Sequence, residues 1–476
     1  MAGSITLGVI FGNRDFFPDV LINEARRDLI QLFAELSIEP VWLSLDQTKL
    51  GAVETWTDAQ KCGALFHENR GRVDGILVCL PNFGDEKGVA DAIRISELQV
   101  PVLVQACPDD LDQFGLERRR DAFCGKISVC NNLRQYRLKF TLTRDHTVAI
   151  LNARFREDLA QFVQTCRVVR GMRRVRIGAV GARPNAFNTT RYSEKLLEAA
   201  GISVNTIDLS EVFGTASTIA NDDERVKARI DQIRAYADSS AAPDEAMQKM
   251  AKFAIVVDDW MLSLGLTATA IQCWSSMQKN YGVNVCTIMS MMSEQMLPSA
   301  CEVDIAGVVS MYALQLASGK PSALVDWNNN YGNDPDKCVF FHCGNWAKDF
   351  LPDIRIGTAP ILGTMLGEEN TVGALAGRTP AGLVTFGRVS TDDFSGSIRA
   401  YVGDGMFTND PLNTFGTKAV VQVGNLPGLM QYICKNGFEH HAAMNGSHCA
   451  NSVTEALANY LGWDVDRKST RLTPVT

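Results

Sequence analysis

The sequence predicts an α/β protein: two successive α/β sandwich domains with parallel sheets, followed by a β-rich C-terminal domain. Three observations predict it. Short apolar runs alternate with amphipathic helical stretches through the first third of the chain, which is the pattern of buried parallel strands with covering helices. The same alternation restarts after a basic segment at 167–176. Beyond about position 353 glycine becomes frequent and β-branched runs shorten, a texture of turns and strands.

Each element follows in order. The run 5–11 ends at Gly12 and reads as the first strand, 19–36 as a helix and 40–45 as a second strand, with further strands at 75–80 and 100–105. A helix over 154–169 closes a first domain, 1–172. The second domain, 173–353, starts with a strand at 175–180, a loop at 181–190 and a helix at 193–200. Strands at 202–208 and 253–257 and a helix at 267–277 continue it. The third, 354–476, holds strands at 382–389, 397–401 and 419–423 and ends in a polar tail, 467–476. No fixed-period repeat or low-complexity segment is present.

Composition excludes several function classes. Hydrophobic residues are 46% and charged residues 21%, which is globular. A net charge of −8 argues against nucleic-acid and anionic-membrane partners, which select basic surfaces. No run approaches the ~18 apolar residues needed to span a bilayer. The start of the chain lacks the basic flank of a secretory signal, so a cytoplasmic protein is expected. Thirteen cysteines, an odd number with no CxxC pair, point to reduced thiols, most of them small buried apolar residues. P-loop, GxSxG and HExxH motifs are absent, and Gly178-Ala-Val-Gly181 falls short of a dinucleotide loop.

The chemistry-bearing residues lie late in the chain. Three of the six histidines, His440, His441 and His448, fall within nine positions, in a stretch with Asn445 and Gly446 that reads as a loop. Imidazoles in such a cluster either ligate a metal or serve structure. Glu302 precedes an apolar helix through 308–316, where it is either a functional carboxylate or a partner of the helix dipole. Asp326, 24 positions on, reads as standing at the C-terminal end of a strand, the end where open α/β sheets place ligands, or else as a turn cap. His342 ends another strand. A site between two domains would collect them.

Taken together, Ala300-Cys-Glu302-Val-Asp304-Ile-Ala-Gly307, Asp326 at its 24-residue spacing, Ala270-Ile-Gln272 and the segment from Glu439 to His448 resemble the L-fucose/L-arabinose isomerase superfamily, most closely its fucose-isomerase-like branch. The resemblance covers most of the chain. It implies three domains and a divalent ion, typically Mn²⁺ with other divalent ions admitted by the same ligands. It implies a metal-dependent aldose–ketose isomerase that works on a free sugar through a cis-enediol. Glu302, Asp326 and His441 would be the metal ligands, with Glu302 and Asp326 also moving the proton between C2 and C1. Gln272 matches a sugar-contacting glutamine. Arg14 resembles an N-terminal arginine that serves a neighbouring subunit's site, and Asn82-Phe83 stands where an aromatic ring meets the sugar. His342 is placed at the substrate or as an additional ligand, and His440 or Asn445 behind the imidazole. The resemblance further implies a homo-oligomer, a hexamer or other trimer-based assembly, with the site near a subunit interface.

Chemistry favours this assignment. A proton next to a carbonyl becomes acidic enough to remove when a nearby cation stabilises the developing oxyanion. Oxygen-rich ligation with one histidine suits Mn²⁺ or Mg²⁺ better than structural zinc. Relatives in the branch also act on anionic sugars such as sulfoquinovose, for which Arg183 and Arg191 are the candidate cations. Two further readings are a sugar-binding protein without catalysis and a metal-dependent hydrolase or lyase.

Overall fold

The computed structural model describes residues 5–466. The expected polar tail at 467–476 lies outside them. The described chain divides into two compact units, one of positions 5–170 with 455–462 and one of 171–454 with 463–466.

The first unit is a three-layer α/β sandwich. Its parallel sheet runs in the order Ile38–Val41, Ile5–Gly12, Gly75–Leu80, Val102–Ala106 and Thr141–Leu142, with Ala52–Val53 added beside Ile5–Gly12. Alternate side chains feed two cores. Leu7, Val9, Phe11, Leu77 and Leu103 pack with Leu29 and Phe33 of the helix Val20–Leu36 and Phe155 and Leu159 of the helix Ala153–Met172. Ile10, Ile76, Val78, Val102 and Val104 pack against the opposite layer, from the helices Trp56–Glu68, Glu86–Ser96 and Ala122–Gln135. Strands buried on both faces carry no polar alternation, which is why they read as continuous apolar runs. The unit is completed by a late segment, where the Tyr460 hydroxyl bonds to Val102 N and O at 3.2 and 3.1 Å.

The second unit combines two sheets. A parallel sheet has the order Ser299–Cys301, Ala268–Ile271, Arg176–Val180 and Ser203–Ile207. A mixed sheet of nine strands follows, and six of them close on themselves: Thr417–Gln422, Asp334–His342, Ser322–Tyr331, His441–Asn445, Gly382–Asp392 and Ser397–Thr408, the last pairing back to the first. The hairpin Ser322–His342 therefore pairs with strands from the final third of the chain. The helix Ile305–Ser318 is apolar on nearly every side and is buried, packing on Gly382–Asp392, His441–Asn445 and Ala268–Ile271. Ser310 Oγ accepts from Val389 N at 2.7 Å and ties it to the strand.

Several local expectations are corrected. Residues 253–257 lie inside the helix Asp244–Leu264, which Gly265 ends in a left-handed conformation (φ 61°). A short apolar run does not distinguish buried helix from buried strand, and the long flanking helical stretch decides. The helix expected over 267–277 is instead the strand Ala268–Ile271 followed by a turn, and the β-branched Thr267, Thr269 and Ile271 favour that outcome. Asp326 stands mid-strand in Ser322–Tyr331 rather than at its end. The stretch read as a loop around His441 contains the buried strand His441–Asn445, which has a neighbour on each side.

Gly344 turns the chain out of the strand that ends at His342. Its φ is +125°, and an added Cβ would lie 2.4 Å from Leu375 N and O. Gly344→Ala is expected to cost about 2 kcal/mol or more, because backbone strain and overpacking combine. A thermal melt unchanged from the parent would contradict this reading.

Candidate active site

Neighbouring strands deliver the site. Asp326 is paired directly across from His441 on one side and from Phe341 on the other, which brings His342 alongside. Glu302 arrives from the parallel sheet, just past Ser299–Cys301. Glu302 and Val303 both take left-handed backbone conformations, φ 62° and 53°. Two successive non-glycine residues in that region, one of them β-branched, mark a turn held by its surroundings.

The convergence is tight. His441 Nε2 lies 3.0 Å from Glu302 Oε2 and 3.4 Å from Asp326 Oδ1. His440 Nε2 is 3.6 Å from the same Asp326 oxygen. Ligand atoms of Glu302, His342 and His441 all lie within 4.8 Å of one another, as do those of Asp326, His440 and His441. The His441 and Glu302 side chains are 1% and 8% exposed, whereas Asp326 and His440 are 23% and 43% exposed. The site therefore opens to solvent on the Asp326–His440 side. Phe187, from the loop after Arg176–Val180, packs on Trp274, His440 and His441 at 5.1, 5.7 and 6.1 Å and forms an apolar wall.

Asp304 orients the central imidazole. His441 Nδ1–H donates to Asp304 Oδ2 at 2.8 Å, so in the neutral ring Nε2 presents its lone pair to the carboxylates. Arg388 grips the same carboxylate through two nitrogens, at 2.5 and 3.0 Å, and donates from Nε to Glu439 Oε2 at 3.0 Å. Burial alone would raise the Asp304 pKa, but the Arg388 charge and the His441 hydrogen bond hold it far below the usual carboxylate range. Burial alone would lower that of His441, but the bonds to Asp304 and Glu302 push it up to about 10. Asp326 is raised, chiefly by desolvation. His342 differs from His441. Its Nδ1 accepts from Cys343 N at 3.0 Å, so in the neutral ring the proton sits on Nε2. That makes His342 a hydrogen-bond donor toward the site rather than a lone-pair ligand.

The residues fit a divalent cation. His342 Nε2 is buried without a hydrogen-bond partner, and the buried Glu302 Oε2 faces only His441 Nε2, at 3.0 Å. A carboxylate oxygen 3.0 Å from an imidazole nitrogen requires a proton or a cation between them. Two trios have the spacing to hold an ion, Glu302 with His342 and His441, and Asp326 with His440 and His441, and they share His441. Asp304 fixes its tautomer as buried carboxylates do behind metal-bound histidines.

The other expected residues fall elsewhere. Gln272 Oε1 accepts from Ala182 N at 2.9 Å, which leaves its NH₂ group for a ligand. Asn445 lies at the far end of the strand from His441 and donates to Lys320 O and Pro321 O at 3.1 and 2.8 Å. It does not orient the imidazole, and neither does His440. Arg14, Asn82 and Phe83 belong to the first unit. There the Arg14 guanidinium lies 4.4 Å over the Phe83 ring, donates to Gly84 O and pairs with Glu86, while Asn82 is buried and bonded to Asn13 and Gly84 N. Asp304, Arg388, Trp274 and Phe187 were not singled out for these roles by sequence reasoning. Arg388 carried a readable signal, since a lone arginine inside the apolar run 382–389 has to be paired.

Comparison with known proteins places the chain in the fucose isomerase-like superfamily. A family model described as fucose/sulfoquinovose isomerase, N-terminal domain, matches residues 8–173. A second, described as L-fucose isomerase, C-terminal domain, matches 340–468. The chain is 25% identical over 424 residues to the sulfoquinovose isomerase of Alkalicoccus urumqiensis, which covers 85% of this chain and 88% of that one. It is 23% identical over 433 residues to that of Priestia aryabhattai, covering 88% and 91%. No helix among the described residues is long and apolar enough to cross a membrane.

Asp304→Asn leaves the buried Arg388 with Glu439 as its remaining charge partner. It is expected to cost about 3–5 kcal/mol at neutral pH. A depressed carboxylate contributes fully above its unfolded pKa of about 3.9, so the gap to the parent protein narrows as pH falls below about 4. Denaturant titration at pH 7 and at pH 3 checks both, and a gap that grew on acidification would contradict the assignment.

Proposed function

The protein belongs to the fucose isomerase-like superfamily and is an aldose–ketose isomerase, and we propose that its substrate is an anionic aldose of the sulfoquinovose type, turned over with Mn²⁺ at Glu302, Asp326 and His441. The observation that carries the substrate reading is the loop bearing Phe187. It also carries Arg183 and Arg191, and neither has a carboxylate partner among the described residues. Arg183 bonds only to Pro184 O and Asn185 O, and Arg191 to Asn188 O. Guanidinium groups without a carboxylate partner, on the same loop as the Phe187 wall, suit a sulfonate, which they bind bidentately. Relatives named sulfoquinovose isomerase support the same choice.

When bound, the divalent ion supplies positive charge that polarises the sugar carbonyl and makes the adjacent C–H more acidic. The protein's own groups do the rest. A carboxylate of the Glu302–Asp326 pair takes the proton from C2 and returns it to C1, while the hydroxyl proton passes from O2 to O1, so that the aldose becomes the ketose with atoms conserved. The raised pKa of Asp326 suits a group that must accept and release a proton. His342 Nε2–H donates to a sugar oxygen. Phe187 and Trp274 exclude water from the reacting carbons. Trp274 Nε1–H donates to Glu302 Oε1 at 3.1 Å and fixes that carboxylate. In this reading Arg14 and Phe83 serve the site of a neighbouring copy, which makes the protein a trimer-based homo-oligomer.

Metal-stripped protein given Mn²⁺ and a panel of L-fucose, D-arabinose, L-arabinose and sulfoquinovose tests the proposal. Ketose formation is expected with sulfoquinovose, lost in Glu302→Gln and Asp326→Asn. Arg183→Ala is expected to lower kcat/KM for sulfoquinovose by about 10–100-fold, the worth of one charge-assisted hydrogen bond. Turnover of the neutral sugars alone would reject the anionic substrate and keep the isomerase.

A further inference from the structure

We infer that a second site, for a soft thiophilic cation, lies directly behind the isomerase centre, formed by Cys286, Cys301 and Cys343 with Cys273 as a fourth thiol. The sulfur atoms of Cys286, Cys301 and Cys343 all lie within 4.8 Å of one another. The Cys273 thiol neighbours those of Cys301 and Cys343. All four are free thiols, and Cys273, Cys286 and Cys301 are buried. They come from separate elements: the turn after Ala268–Ile271, the first residue of the helix Cys286–Glu294, the end of Ser299–Cys301 and the residue after Asp334–His342. No local CxxC motif assembles them; the fold does.

Two thiolates on one tetrahedral ion at about 2.3 Å sit about 3.8 Å apart. The trio is close to that spacing, and movements of about an ångström, shared between side chains and backbone, would close it. Thiolates select Zn²⁺, Cu⁺ or Cd²⁺, whereas the carboxylates of Glu302 and Asp326 select harder ions. Two ligand sets of opposite softness thus stand back to back, and each bound thiol releases its proton on ligation. The two sets share peptide bonds: Cys301 precedes Glu302 and Cys343 follows His342. A soft ion that draws Cys301 and Cys343 together displaces Glu302 and His342, so its binding inhibits the isomerase. The binding claim is independent of the proposed sugar chemistry, while the inhibition claim rests on it.

Full-length Mn²⁺-loaded protein titrated with Cd²⁺ tests both. A sulfur-to-cadmium charge-transfer band saturating at one equivalent is expected. It should vanish or weaken at least tenfold in affinity in Cys286→Ser, and persist in a Cys79→Ser/Cys107→Ser double variant that removes the other buried thiol pair. Cys273→Ser reads the cluster from its other wall, with at least tenfold weaker Cd²⁺ binding expected, so a Cys286→Ser chain that fails to fold leaves the question decidable. No band, or one unchanged in both single variants, overturns the site. Activity is expected to fall at least tenfold on the first equivalent and to be spared in Cys286→Ser. A saturated band with full activity overturns the coupling alone.

Discussion

The second unit is organised around one buried carboxylate. Asp304 Oδ1 accepts from Gly307 N at 2.8 Å and from Arg388, and Oδ2 accepts from Arg388 and His441. These bonds lock together the start of the helix Ile305–Ser318, the strand Gly382–Asp392 and the strand His441–Asn445. A charge with no exposed surface is tolerable only when every lone pair is matched, so none of the three elements can shift alone. Because Nδ1–H of His441 is committed to Asp304, its other nitrogen is aimed at Glu302 and Asp326. The carboxylates of Glu302, Asp304, Asp326 and Glu439 outnumber the single Arg388 charge by three, and a proton on His441, whose pKa is raised, offsets part of that excess. Such an excess favours a divalent cation and its substrate oxygens over an empty pocket.

Much of this was legible in the sequence. The parallel strands of the first unit read clearly because both faces are buried and only Thr6 interrupts the apolar run from Ile5 to Phe11. Glu302, Asp326 and His441 were readable through their order and spacing, and the structure brings them together. The role of Asp304 was harder to see. Asp is an ordinary N-cap residue before a helix, and Asp304 does cap one, with Gly307 N on Oδ1. Only the tertiary fold shows that the same carboxylate also meets an arginine 84 positions on and a histidine 137 positions on. The mid-strand placement of Asp326 and the strand at His441 were missed for a related reason. A strand with neighbours on both sides in a closed sheet needs no turn residues at its ends, and Ala442-Ala-Met444 is too short to show a period.

Two histidines on the strands either side of Asp326 acquire opposite chemistry from backbone and carboxylate partners. Asp304 accepts a hydrogen bond from Nδ1–H of His441, and Cys343 N–H occupies the Nδ1 lone pair of His342. One ring is thereby prepared as a ligand and the other as a donor. Residue type alone does not distinguish them, and a count of histidines near carboxylates would assign both to the metal.

Anomalous scattering at the manganese absorption edge, from crystals of the Mn²⁺-loaded protein, tests this account most directly. The account predicts a peak bonded to Glu302, Asp326 and His441 Nε2, with Asp304 still on His441 Nδ1 and His342 outside the coordination sphere. A peak ligated through His342 with His441 swung away, or no peak between the two carboxylates, would contradict it.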